Sequence, residues 1–160
     1  MAETKTDSAV TNPAAAATPQ PAPKPVKSEP LKGGYWWGLG RRKCSVARVR
    51  IKLGTGKLLV NKEELNKYFK REQDRSAVTS PLKAVGAEKA FDIFINVTGG
   101  GTTGQSGASL LGIARALKKY DDNYVQVLRD GGYLTRDPRM VERKKPGQSG
   151  ARKRFQFSKR

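Results

Sequence analysis

Phe91-Asp-Ile-Phe-Ile-Asn-Val97, then Thr98, then Gly99-Gly-Gly-Thr-Thr-Gly104, then Gln105 to Tyr120 is the stretch that decides the fold. Phe91, Ile93, Ile95 and Val97 recur with period two, so they share one face of a strand. Phe94 falls on the other face, and its bulk predicts cover on both sides. The glycines end the strand. From about Gln105 to Tyr120, Leu110, Ile113, Ala114 and Leu117 fall on one helical stripe, with Arg115 and Lys119 opposite. A strand running through a glycine turn into an amphipathic helix implies a mixed layer of sheet and helices.

The glycine turn fits G-x-G-x-x-G across Gly99, Gly101 and Gly104 and approaches the phosphate-loop pattern. The lysine of that pattern is replaced by Gln105, and the acids at the Rossmann distance, Asp121 and Asp122, end a helix rather than a strand. Nucleotide catalysis is therefore a poor reading. Two others stay open: bare amides at a helix N-terminus that hold an anion such as an RNA phosphate, or glycines that only allow a tight turn.

Upstream, Ala47, Val49, Ile51 and Leu53 alternate with Arg48, Arg50 and Lys52, a second strand with cations on one face. Gly54-Thr-Gly56 predicts a turn and Lys57 to Val60 a returning strand, hence a hairpin. Asn61 reads as a helix N-cap with Glu64 as its capping-box partner, and Leu65, Tyr68 and Phe69 as the buried side. Ser80-Pro81 predicts the start of a further short helix. A last helix spans about Asn123 to Asp130, before Gly131-Gly132. Order is expected to begin near Tyr35-Trp-Trp37. Those two tryptophans fit core packing or base stacking.

The chain has 160 residues, 32 basic and 14 acidic, for a net charge of +18. Residues 1–34 hold four Lys against three acids and six of the nine prolines, so they read as a disordered Ala/Pro-rich extension carrying +1. The other 126 residues carry +17, a field suited to a polyanion. No apolar stretch approaches the roughly twenty residues that span a bilayer, and the N-terminus does not read as a secretory signal. Histidine is absent and Cys44 is the only cysteine. This excludes an internal disulfide and an ordinary zinc site, removes the commonest general base, and fits a reducing cytoplasm.

Arg41, Arg42, Lys43, Arg48, Arg50 and Lys52 form a run of six cations with no acid before Glu63. Such a face either tracks phosphates or is a solvated edge protected by charge. Residues Arg143 to Arg160 hold eight Lys or Arg and no acid, with Phe155 and Phe157 among them. They lack apolar periodicity and form no core. They read as an arm that orders on RNA, or as a solubilising tail.

Several segments occur in an order that resembles a known family. They are Gly40-Arg-Arg-Lys43, Gly99-Gly-Gly101, Gly104-Gln-Ser-Gly107, Gly112-Ile-Ala-Arg-Ala-Leu117, Thr135-Arg-Asp137, Val141-Glu-Arg-Lys-Lys145 and Gln156-Phe-Ser-Lys-Arg160. Together they resemble the ribosomal protein S-nine family of the small subunit, in its bacterial or organellar branch, from about Tyr35 to the C-terminus. The resemblance implies an α+β fold of the ribosomal-protein S-five domain-two type: a sheet backed by helices, with a left-handed βαβ crossover and an extended C-terminal arm. It implies a globular domain over 35–135 and an arm over 136–160.

It further implies a non-enzymatic structural constituent of the small subunit, in the cytoplasm, with no cofactor, no membrane and no homo-oligomer. Its partners would be small-subunit ribosomal RNA, other ribosomal proteins of the head, and peptidyl-site transfer RNA. The expected ribosomal-RNA contacts are Arg41, Arg42, Lys43, Arg48 and Arg50; the turn Gly99, Gly100, Gly101 and Gly104 with Gln105; Arg115; and Arg136, Arg139, Arg143, Lys144, Lys145, Arg152, Lys153 and Arg154. Ser158, Lys159 and Arg160 are the expected transfer-RNA contacts. The tail departs from the family pattern at Pro146-Gly-Gln-Ser-Gly150, which is less basic, and at Phe155, where proline is common. A free-standing basic RNA chaperone is the competing reading.

Overall fold

The computed structural model describes residues 33–159. The expectations for residues 1–32 and for Arg160 lie outside the described residues. Strands β1 (Trp36–Arg42), β2 (Ser45–Leu53), β3 (Leu58–Val60), β4 (Glu63–Glu64) and β5 (Phe91–Thr98) form one sheet in the order β1-β2-β5-β3-β4. Helices α1 (Leu65–Tyr68), α2 (Glu72–Val85), α3 (Thr102–Tyr120) and α4 (Tyr124–Asp130) complete a mixed α+β architecture.

The two period-two segments became β2 and β5, which pair antiparallel with Ala47 opposite Val97 and Ile51 opposite Ile93. Their apolar sets face the helices and are buried, except Leu53 at the end of β2, which is exposed; each fully buried isoleucine contributes roughly 1.5–3 kcal/mol. Helix α3 lies against β1 and β2. Helix α2 packs beside it, and its Thr79 and Leu82 line one cavity with Leu58, Phe91 and Ile93 of the sheet. The burial of α3 is wider than the expected stripe, since Ala108, Leu111, Gly112 and Ala116 are also buried while Leu110 is only half-buried. The helix begins at Thr102, three residues before the expected start.

β1 is a strand that sequence pattern did not disclose. It pairs antiparallel with β2, Trp36 opposite Ile51 and Arg42 opposite Ser45. Its inward positions between Trp36 and Arg42 are Gly38 and Gly40, so no apolar alternation marks it. Close approach of α3 is the reason. A Cβ on Gly40 would sit 1.8 Å from the Ala108 carbonyl oxygen, and one on Gly38 would sit 2.0 Å from that of Gly112.

The expected β2–β3 hairpin does not form. β5 inserts between the two strands, antiparallel to β2 and parallel to β3. The 54–57 turn spans the end of β5 instead. Its Thr55 and Lys57 amides donate to Asp92 Oδ1 at 2.9 and 3.1 Å, and these bonds hold the Asp92 carboxyl below the usual carboxylate range.

Asn61 is not an N-cap. It has φ 49, and its side chain pairs with the Val97 backbone, Oδ1 accepting from N–H at 2.9 Å and Nδ2 donating to C=O at 3.1 Å. It extends the β3–β5 ladder by one rung with a side-chain amide. α1 starts after Glu64 with no side-chain cap. Of the residues expected to be buried there, Phe69 is fully buried, and Leu65 and Tyr68 are half-buried.

Pro81 does not open a helix either. It lies inside α2, which starts at Glu72. Proline removes the donor that the Ala77 carbonyl would normally receive. The Ser80 hydroxyl donates to that carbonyl at 2.8 Å, so the helix continues. α4 runs as expected, and the buried Asp121 accepts from the Asn123 amide just before it at 2.8 Å.

Candidate nucleic-acid interface

Two turns meet at one end of the sheet. Arg41 and Arg42 end β1, and the β1–β2 turn carries Lys43 and Cys44, with Lys43 at φ 50. The β5–α3 turn carries Gly99 and Gly100 at φ 75 and 64, conformations that glycine adopts without penalty. They are in contact: Ser45 Oγ donates to the Gly99 carbonyl at 3.1 Å, and a Cβ on Gly100 would lie 2.1 Å from that oxygen of Ser45. Gly101 has open space around it, while Gly104 is buried against Ser45.

Helix α3 starts here without an acidic residue in its first turn and without a side-chain cap at Gly101. The first amides of a helix have no intrahelical acceptor, and its dipole places partial positive charge at this end. Arg41 and Lys43 are exposed beside it. The result is a cationic end with free amide donors, a geometry that suits a phosphate oxygen.

Arg42 is placed differently from its neighbours. It is half-buried; Nη1 donates to the Thr103 carbonyl at 3.1 Å and Nη2 to Asp137 Oδ2 at 3.0 Å. Gly107 makes room for its stem, since a Cβ there would come within 2.4 Å of Arg42 Cδ. Arg42 therefore joins three parts: the end of β1, the first turn of α3, and the root of the C-terminal segment. Gln105 is also engaged within the fold. Nε2 donates to the Gly99 carbonyl at 3.1 Å and Oε1 accepts from the Tyr68 hydroxyl at 2.9 Å. Arg115 is exposed on α3, and Nη1 donates to the Leu39 carbonyl at 2.7 Å on the free edge of β1. These internal roles had no sequence signal, because Asp137 and Thr103 for Arg42, Tyr68 for Gln105 and Leu39 for Arg115 all lie far along the chain.

Arg48 is exposed on the outer face of the sheet. Arg50 shares that face, half-buried, with its guanidinium carbon 5.7 Å from the Tyr35 ring centroid and 5.4 Å from that of Phe94. Phe94 is thus half-buried beneath two side chains, and no element covers this face among the described residues. Of the two tryptophans, Trp36 is core, edge-on to Tyr120 at 4.9 Å, while Trp37 is 40% exposed.

From Arg136 to Lys159 the chain has no helix or strand. Arg136, Arg139, Arg143, Lys144, Lys145, Arg152, Lys153, Arg154, Ser158 and Lys159 are all exposed. A local loop is closed by Arg152, whose Nε donates to Glu142 Oε2 at 2.9 Å and whose Nη2 donates to Oε1. This pairing lowers the Glu142 pKa and raises that of Arg152.

Asp137 ties the root of this segment down. Its Oδ1 accepts from the Arg139 amide at 3.0 Å, and that bond, followed by the Arg42 guanidinium, holds its carboxyl below the ordinary value of 3.8. A depressed folded-state pKa stabilises the tether above the unfolded value, and the effect is lost as pH falls through the folded value. The Arg139 amide resonance is therefore expected to shift on acidification below about pH 4 in the wild-type chain. The same titration of Asp137→Asn should lack that step.

Among the described residues no group of three or more potential metal ligands occurs, and no helix is long and apolar enough to cross a membrane.

Comparison with known proteins accords with this surface. The family model described as ribosomal protein S9/S16 matches residues 40–160. Among similar curated proteins is the small ribosomal subunit protein uS9 of Rhodopirellula baltica, 49% identical over 135 residues, covering 84% of this chain and 98% of that protein. Those of Chlorobaculum tepidum and Treponema pallidum are 57% and 53% identical, covering 76% and 77% of this chain and 95% of each relative. With its basic C-terminal segment, its glycine turn and its Gly-Arg-Arg-Lys strand end all inside the matched region, the chain belongs to the ribosomal protein S9/S16 family.

Proposed function

We propose that this chain is a non-enzymatic structural constituent of the small ribosomal subunit in the cytoplasm, bound to ribosomal RNA in the subunit head. The observation that carries this reading is the meeting of three features at one end of the sheet: the Arg41–Lys43 segment, the uncapped start of α3 at Gly101, and the root of the basic arm at Asp137. Phosphates are held there by Arg41 and Lys43 and by the turn and first-helical amides. Arg42 acts through Asp137 to aim the arm, and Arg48 and Arg50 extend the cationic surface. Arg136, Arg139, Arg143, Lys144, Lys145, Arg152, Lys153 and Arg154 follow the RNA outward. Neighbouring proteins of the head complete the environment.

The fold reading is that of ribosomal-protein S-five domain two, with a left-handed crossover from β3 through α1 and α2 to β5. The globular part spans 35–135 and the arm 136–160, and the arm orders on RNA as charge neutralisation offsets its lost entropy.

Ser158, Lys159 and Arg160 are the residues that reach peptidyl-site transfer RNA. Deleting Lys159 and Arg160 is expected to weaken transfer-RNA binding at that site while subunit assembly proceeds. Filter binding of transfer RNA to purified subunits across a salt titration measures it, and an unchanged affinity at every salt concentration refutes this role. Sedimentation in high salt separates the proposal from a free chaperone, which would leave the subunits.

A further inference from the structure

The open face of the sheet is more than a cationic surface. Register places Trp37 opposite Arg50, Arg50 opposite Phe94, and Phe94 opposite Leu59, so one row crosses four strands. Tyr35 closes the near end, edge-on to Phe94 at 6.2 Å. The Arg50 guanidinium lies over both rings. Trp37 and Leu39 are each 40% exposed, a large apolar presentation for a sheet face rimmed by charge. Beside the row, Lys62 and Asn96 border a shallow cavity of about 240 Å³ floored by Phe94 and Leu59.

Charge selects the occupant. Arg48 is exposed on this face and Lys52 is half-buried there. Asp92, the one acid within its three long strands, is already engaged by the Thr55 and Lys57 amides, and the exposed Glu64 of β4, opposite Leu59, marks the far end of the row. Cations interleaved with aromatic faces suit a polyanion that also offers flat apolar rings. That is single-stranded RNA, whose bases stack on aromatic and guanidinium planes; a duplex keeps its base faces hidden.

We propose that this face is a stacking platform for unpaired bases of RNA. Trp37 and the Tyr35–Arg50–Phe94 cluster take the bases, Asn96 offers its amide to a base edge, and Arg48 holds a flanking phosphate. This rests on the RNA-binding reading above and adds what the sheet recognises. It also changes the task of Arg50 from phosphate contact to stacking.

The test compares two RNA probes of equal phosphate number, an unstructured octauridylate and a blunt-ended duplex, titrated against the full chain at one fixed salt concentration. The arm contacts both, so the difference isolates the sheet. Trp37→Ser is expected to weaken octauridylate binding about tenfold and leave duplex binding unchanged, with Trp37→Tyr restoring most of the loss. Phe94→Leu, which keeps the residue apolar, should act in the same direction. Quenching of the exposed Trp37 emission by octauridylate and not by duplex supports the proposal independently of any variant. Equal affinities of wild type and Trp37→Ser for octauridylate overturn it, and so does an equal loss for both probes. If Trp37→Ser binds both RNAs normally yet fails to join the subunit, the face belongs to a protein neighbour and the proposal is likewise overturned. A wild-type chain that binds neither probe defeats the RNA-binding reading itself.

Discussion

Gly40→Ala is expected to destabilise the globular part by at least about 3 kcal/mol, the upper end of the cost of overpacking a core. The new methyl would lie 1.8 Å from the Ala108 carbonyl oxygen and 2.6 Å from the Gly112 amide nitrogen, both helix backbone, where real Cβ atoms essentially never approach below 3.0 Å. No rotamer change relieves a clash with backbone. Relief requires α3 to move off β1, and Gly112 packs against Val49 on the next strand, so the displacement would open the contact with β2 as well. Thermal unfolding followed by circular dichroism should show a midpoint lowered by on the order of 10 °C or more. Gly101→Ala serves as the control. Gly101 has φ −108 with nothing within 4 Å of an added Cβ, so its midpoint should stay near wild type. A Gly40→Ala chain that melts with the wild type would show that α3 and β1 are not in the close contact described.

The other large effect concerns the arm. Replacing Arg143, Lys144, Lys145, Arg152, Lys153 and Arg154 by alanine should leave the melting midpoint nearly unchanged, because all six are exposed or tied only to one another's loop. RNA affinity should respond strongly. Each phosphate neutralised on a single strand contributes about 0.7 to the slope of log affinity against log salt, so six contacts contribute roughly 4. The wild-type chain should lose on the order of a thousandfold or more in affinity between about 50 and 200 mM salt, and the variant far less. Fluorescence anisotropy with a small-subunit RNA fragment over a salt series reads both quantities. An unaltered slope in the variant would mean that these cations face solvent in the complex and that the arm does not follow phosphate.

Legibility differed from element to element. β2 and β5 were readable because alternation survives in any half-buried strand. α3 and α4 were readable from their stripe and stop signals, and the cationic end from composition. Asn61 and Ser80-Pro81 misled for a common reason. Their local chemistry fits a helix start, yet each side chain satisfies a backbone group elsewhere: Val97 for Asn61 and Ala77 for Ser80. In the interface, Arg41, Lys43 and the arm cations are as open to solvent as their charge suggests. Arg42, Gln105 and Arg115 are instead engaged within the fold, with Asp137, Gly99 and Leu39.

What the chain's own order of residues determined was the periodic segments, the breaks between them, the excess of positive charge and the family to which the motifs belong, since all of these depend on neighbours in sequence. Tertiary structure alone decided that β5 enters between β2 and β3, that a glycine-marked segment becomes an edge strand under α3, and that Trp37, Arg50, Phe94 and Leu59 line up on one open face. Strand pairing depends on which distant segments can bury their apolar sides together, and a glycine's lack of a side chain acquires meaning only when another backbone comes to occupy the space.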